Sequence, residues 1–167
     1  MEISASLIKE LRGQSGAGVM DCRNALSKTD GDIAKALELL KEQGILKAQK
    51  KATRTASKGL VEAYIHTGGR IGAMVEINCE TDFVARTEQF KTLAHDLAMQ
   101  VCACSPQCVN QEELPAGSDA DPVVACLMCQ PFIKSPDKTI KDIVTEAIAR
   151  IGENIKVSRF ARFELGE

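Results

Sequence analysis

Apolar positions along this 167-residue chain change period several times, and each change marks an element. In residues 4–12, Leu7, Ile8 and Leu11 share one helical face, and Gly13, Gly16 and Gly18 are expected to end that helix. Val19, Cys22 and Leu26 then recur at spacings of three and four, which predicts a second short helix closed by the Thr29-Asp30-Gly31 turn. Asp32 stands at the N-cap of a third helix carrying Ile33, Ala36, Leu37 and Leu40, and Gly44 occupies a place where a left-handed residue stops a helix. Residues 1–44 thus form a three-helix module, near the lower size limit for independent folding. Residues 45–58 follow as a basic helical linker, and a core unit spans 59–167.

From Gly59 the period falls to two. Val61, Ala63 and Ile65 alternate with Glu62, Tyr64 and His66, and Gly68-Gly69 signals a hairpin. In the next strand Ile71, Ala73, Val75, Ile77 and Cys79 line one face while Met74, Glu76 and Asn78 point the other way. A two-residue turn would put Val61, Ala63 and Ile65 on the face opposite Ile71, Ala73 and Val75. The expectation is therefore an odd-length loop, a bulge, or a sheet covered on both faces. A helix over 87–103 is marked by Phe90, Leu93, Ala94, Leu97, Ala98 and Val101. Ser105–Ser118 is irregular, and 122–133 holds a short helix closed by Pro131. Ile140, Ile143, Val144, Ala147, Ile148 and Ile151 mark a further helix, stopped at Gly152. The tail is a closing strand in which Ile155 and Val157 are out of phase with Phe160, so a bulge is expected. The fold class is α+β, a helical module beside a small antiparallel sheet packed with helices.

Composition changes this picture little: 44% hydrophobic and 26% charged residues are ordinary for a globular chain. No apolar run reaches 18 residues, and the start is acidic and amphipathic where a secretory signal is basic and then apolar, so a cytoplasmic protein with no membrane contact is expected. Its seven cysteines are then mostly reduced, and their odd number rules out complete pairing within the chain. Residues 1–60 carry 11 basic against 7 acidic residues, focused at Lys47, Lys50, Lys51, Arg54 and Lys58. Aromatic residues are not interleaved there, so this is read as a solvated face and no direct nucleic-acid binding is expected.

Few residues suggest chemistry. Cys102, Cys104 and Cys108 with Cys126 and Cys129 supply up to five soft ligands, but the first group lacks the usual zinc spacing, and helical spacing explains the last pair as small core residues. His66 and His95 have nothing in the sequence to orient them. No phosphate-binding glycine loop or hydrolase motif occurs. No catalytic residue, metal or cofactor is expected.

The junction Glu76–Arg86, where strand pattern gives way to helix start, is the place where a few side chains are presented in fixed positions. Thr81 or Asp82 caps a short helix there, and Phe83 is either a core residue or a presented one. The string EINCETDFVAR closely resembles the central motif of the elongation factor Ts family. GAGVMDCRNAL with GDIAKALELLKEQG resembles that family's N-terminal ubiquitin-associated-like module, and GENI with the RF-x-RF run resembles its closing strand. Arg23 departs from the family's usual lysine, and the chain is short between Leu114 and Gln130, where a longer helical excursion is usual.

The resemblance implies a guanine-nucleotide exchange factor, not an enzyme, whose partner is elongation factor Tu in its GDP-bound and nucleotide-free states. It implies that Thr81, Asp82, Phe83 and Val84 intrude beside the partner's Mg²⁺ site, with Asp82 making polar contacts and Phe83 packing into the GTPase. The 1–44 module would hold a second surface. A single core with apolar residues on both strand parities further predicts a homodimer. Two other classes stay open: an adaptor of ubiquitin-associated type without exchange activity, and a redox or metal sensor built on the cysteines.

Overall fold

In the computed structural model, which describes residues 3–166, α1 (Ala5–Ser15), α2 (Val19–Lys28) and α3 (Ile33–Lys51) form the N-terminal module. The Ser4 hydroxyl accepts from the N–H of Leu7, and the Asp32 carboxylate accepts from the N–H of Lys35, so α1 and α3 begin on side-chain caps. Helix α1 runs past Gly13 and ends at Gly16, where φ is 65° and the N–H donates to the Arg12 carbonyl at 2.8 Å. Ser15 holds the extra turn by donating to the Leu11 carbonyl at 2.7 Å. Leu11, Cys22, Ala25, Leu26 and Ala36 make a small core of their own, whereas Val19, expected on the apolar face, is 48% exposed.

Gly44 does not stop α3, contrary to its sequence reading. The helix continues to Lys51, because Gly44 serves close packing: a Cβ there would lie 3.4 Å from the Ala149 Cβ on α7 (Ile140–Ile151). The extended helix carries Ala48 into the larger core. Residues 45–51 therefore belong to the same rigid rod as the module's third helix.

Strands β1 (Lys58–Ile65), β2 (Ile71–Cys79) and β5 (Lys156–Glu164) form an antiparallel sheet with β2 in the centre. The connection Thr67–Arg70 is even in length, with His66 N–H donating to Ile71 O, and no bulge interrupts the β1–β2 register. Both an odd loop and a bulge are thus absent from this hairpin. Side-chain parity keeps Val61, Ala63 and Ile65 on the outer face, while Leu60 and Tyr64 turn inward with Ala73, Val75 and Ile77. The expected irregularity in β5 is present: the register with β2 shifts between Glu76 and Ile77, which brings both Val157 and Phe160 to the inner face.

Helix α5 (Glu88–Cys104) crosses that inner face and buries Phe90, Leu93, Ala94, Leu97, Ala98 and Val101. The stretch least legible in the sequence folds as a one-turn helix α6 (Pro122–Ala125) and a short hairpin of β3 (Pro131–Phe132) with β4 (Ser135–Thr139). Pro131 opens a strand here instead of closing a helix. Two buried glutamines anchor the segment: Gln100 on α5 donates to the Gln130 side-chain oxygen at 3.1 Å and to the Pro131 carbonyl at 3.1 Å, and Gln130 donates to Val124 O at 2.7 Å. A capping box of Thr139 and Asp142 starts α7, and Gly152, at φ 88°, ends it. Among the described residues no helix is long and apolar enough to cross a membrane.

The α3–α7 contact yields a stability prediction. Gly44→Leu forces side-chain atoms into the 3.4 Å gap and is expected to cost about 1–3 kcal/mol, the usual range for overpacking. Urea unfolding checks it: the midpoint should fall with the slope unchanged, and an unaltered midpoint would mean the helices are not in contact at this point.

Candidate functional site

Strand β2 ends at the buried Cys79, and three residues later the chain enters a single helical turn, α4 (Asp82–Ala85). A one-turn helix has no stability of its own, since nucleation fixes several dihedrals for one hydrogen bond. It is held from its N-terminal side. The Thr81 hydroxyl accepts from the Val84 N–H at 3.4 Å, and the Cys79 thiol donates to the Thr81 carbonyl at 3.2 Å. Burial, and then the charge of Glu153, push the Cys79 thiol pKa up, which keeps it protonated as that donor.

The turn divides the four residues singled out by sequence into two pairs. Thr81 and Val84 are half-buried, and Val84 packs against the main core. Asp82 and Phe83 face outward. Phe83 is 84% exposed, so the core reading of this residue is excluded, and the Asp82 carboxylate lies 3.8 Å from the Lys58 ammonium. Both partners of that ion pair are largely exposed, so it adds little stability and leaves Asp82 accessible.

Residues missed by sequence reasoning hold the turn in place. Glu153, in the loop between α7 and β5, accepts from Glu80 N–H at 3.1 Å and Thr81 N–H at 3.0 Å, and from the Thr81 hydroxyl at 2.6 Å. In return the Glu80 carboxylate accepts from Asn154 N–H at 2.6 Å and lies 3.6 Å from the Arg54 guanidinium. The Asn154 side chain, 2% exposed, donates to Arg54 O at 2.7 Å and Ala52 O at 3.4 Å. Three chain segments meet at the base of the Phe83 turn. Hydrogen bonds to a charged acceptor contribute about 1.5–3 kcal/mol each when well shielded, and these are only part-buried, so the lower end applies. Beside them Gly59, at φ 143°, lets β1 close on β2: a Cβ there would sit 2.0 Å from the Ile77 carbonyl oxygen.

The other candidate constellations are dispersed. Cys102 belongs to the main core and Cys104 lies beside Gln100, whereas Cys108, Cys126 and Cys129 belong to a separate small apolar cluster. Within it the Cys108 and Cys126 sulfurs are 3.2 Å apart, and burial above all pushes the Cys126 pKa up to about 11, so that thiol is neutral at pH 7. No group of three or more His, Cys, Asp or Glu among the described residues is placed to hold a metal. His95 pairs with Glu62 at 3.1 Å and His66 with the Tyr64 hydroxyl at 3.3 Å, both exposed and without a cysteine. A cleft of about 630 Å³ between the helical module and α7 is lined by Asp21, Lys41, Asp142, Glu146 and Arg150 among others. It carries both signs of charge and does not reach the Phe83 turn. On the module itself, Val19 and Met20 at the start of α2 and Leu46 on α3 are exposed apolar residues.

Comparison with known proteins gives one answer. A family model described as elongation factor TS matches residues 28–119, which include the whole β1–β2 hairpin and the Phe83 turn. The chain is 48% identical to elongation factor Ts of Carboxydothermus hydrogenoformans over 195 aligned positions, covering 99% of this chain and 90% of that protein. It is likewise 48% identical to elongation factor Ts of Heliobacterium modesticaldum, covering 99% and 91%. With elongation factor Ts of Thermosynechococcus vestitus it shares 47% identity, covering 99% of this chain and 66% of that protein. The aligned span exceeds the 167 residues of the chain, so these relatives carry positions with no counterpart here.

Proposed function

This chain belongs to the elongation factor Ts family, and from that premise we propose that it promotes GDP release from elongation factor Tu by inserting the Asp82–Phe83 turn beside the partner's Mg²⁺ site. The observation that carries this reading is an aromatic side chain left 84% exposed on a turn that three chain segments hold fixed. An exposed ring on a mobile loop would collapse onto the surface; here the backbone denies it that option.

The physics is coupling between two binding equilibria. A factor that binds the nucleotide-free GTPase more tightly than its GDP form weakens GDP binding by the same ratio, typically about 1–3 kcal/mol. Mg²⁺ demands near-octahedral coordination, so a small displacement of its supporting backbone costs much of its affinity. Phe83 is the wedge and Asp82 its polar neighbour. Thr81 and Val84, which the resemblance groups with them, serve from behind by capping and packing the turn. The N-terminal module engages a second surface through Val19 and Met20, raising the effective concentration of the wedge. No bond is made or broken, so this is not an enzyme in the usual sense, and it works in the cytoplasm. The adaptor reading shares the module but leaves the fixed exposed Phe83 without a role.

The chain acts as a homodimer. Val61, Ile65, Met74 and Phe163 are exposed together on the outer face of the sheet, with Ala63 and Ala161 between them, and no described element covers it. Two such faces back to back form a two-layer sandwich with twofold symmetry.

Phe83→Ala is expected to retain the fold and to reduce stimulated release of fluorescent GDP by about 2–4 kcal/mol, the range of a buried aromatic anchor. Stopped-flow release with unchanged thermal stability is the check; undiminished release would remove Phe83 from the mechanism. Asp82→Asn should lower release more modestly at equal stability. For the assembly, light scattering at micromolar concentration should give twice the chain mass, and Met74→Glu should give the single mass with the fold intact. A monomeric parent protein would contradict the pairing.

A further inference from the structure

We propose that Glu153 is a positioning residue for nucleotide exchange: through its bonds to Glu80 and Thr81 it fixes the direction in which Phe83 leaves the surface. The proposal rests on Phe83 being the inserting side chain.

The Phe83 ring is 84% exposed, so packing within the chain does little to place it. The direction in which it leaves the surface is therefore set mainly by the backbone of residues 81–84. That backbone belongs to a single helical turn, which cannot hold itself. Two backbone N–H groups and the capping hydroxyl at its entrance all end on the Glu153 carboxylate. A second bond runs the opposite way, from Asn154 N–H to the Glu80 carboxylate, so the two loops grip each other reciprocally and neither can slide without breaking both. Glu153 directly follows Gly152, the residue that ends α7, and α7 lies against α3 at Ala149 and Gly44. The clasp thus ties the wedge to the helix that continues into the N-terminal module. One end of this frame grips the GTPase, and the other end must arrive at a fixed place.

A wedge that points elsewhere still allows the module to bind but gains little extra contact in the nucleotide-free state. Loss of Glu153 should therefore reduce the coupling between the factor and GDP and spare the initial encounter. A purely structural role makes a different prediction: thermal stability falls, but exchange per folded molecule does not change. The amide of glutamine can reproduce much of the arrangement, with its oxygen accepting both backbone N–H groups and its nitrogen donating to the Thr81 hydroxyl. Aspartate keeps the charge and withdraws it by one methylene.

The test uses the full chain and its GTPase partner loaded with fluorescent GDP. Release rates are measured at saturating factor, and affinities separately for the GDP-bound and nucleotide-free partner. Glu153→Ala should slow release in the saturated complex about tenfold or more, as small misplacements do, while affinity for the GDP-bound partner stays within about threefold. Glu153→Gln should recover most of the rate, and Glu153→Asp should fall with alanine. If the alanine variant does not fold, the glutamine and aspartate pair carries the same comparison. Release by Glu153→Ala equal to the parent's, corrected for folded fraction, overturns the proposal, as does an aspartate variant that keeps the full rate. A parent chain that does not accelerate GDP release overturns the exchange reading itself, and the proposal with it.

Discussion

Two carboxylates facing in opposite directions, Glu153 toward residues 80 and 81 and Glu80 toward residue 154, close the seam between the end of β2 and the loop that leads into β5. Everything distinctive about the site depends on this exchange of hydrogen bonds. The central strand β2 runs into the seam from one side and the outer strand β5 leaves it on the other. Asn154, buried between them, holds the chain that descends from α3 through the carbonyls of Ala52 and Arg54. A buried polar side chain is costly unless its bonds are made, and here the donors reach their acceptors, so the arrangement is specific as well as stable.

The same constraint separates what is held from what is offered. Inside the seam, Thr81 and Val84 direct their polar and apolar groups at the chain itself; outside it, Phe83 is left exposed and Asp82 meets the largely exposed Lys58 ammonium at 3.8 Å. Helix α3 extends this logic across the molecule. By running unbroken past Gly44 it joins a small helical core to the large one, so that two separate apolar clusters share one rigid element. Three groups of exposed apolar residues differ in kind: a lone ring on a braced turn, the start of α2, and the open face of the sheet.

Much of this fold is legible in the sequence wherever one face is buried and enforces its period. The alternation from Ile71 to Cys79 and the face from Ile140 to Ile151 fold as the pattern predicts, and so do the caps at Asp32 and Gly152. Glycine misleads at Gly44, because a helix stop and a close helix crossing call for the same residue for different reasons. Pro131 misleads in a similar way: the missing N–H that breaks a helix costs nothing at the first position of a strand. In the site, the outward pair Asp82 and Phe83 is visible as a junction motif, but the clasp is not. Glu153 and Thr81 lie 72 residues apart, and no local period reports a bond between two loops. Only the placement of a Glu-Asn pair between a helix stop and a strand hints that polar groups are needed there.

A wedge of this kind works only if the Phe83 turn is rigid before any partner arrives. Backbone ¹⁵N relaxation of the free protein tests it directly, at the amides of Glu80 to Ala85 against those of β2. Order parameters of about 0.85 along both stretches are the predicted result. Values below about 0.6 at Thr81–Val84, with β2 rigid, would show a turn that the partner must order on binding, and would contradict the account.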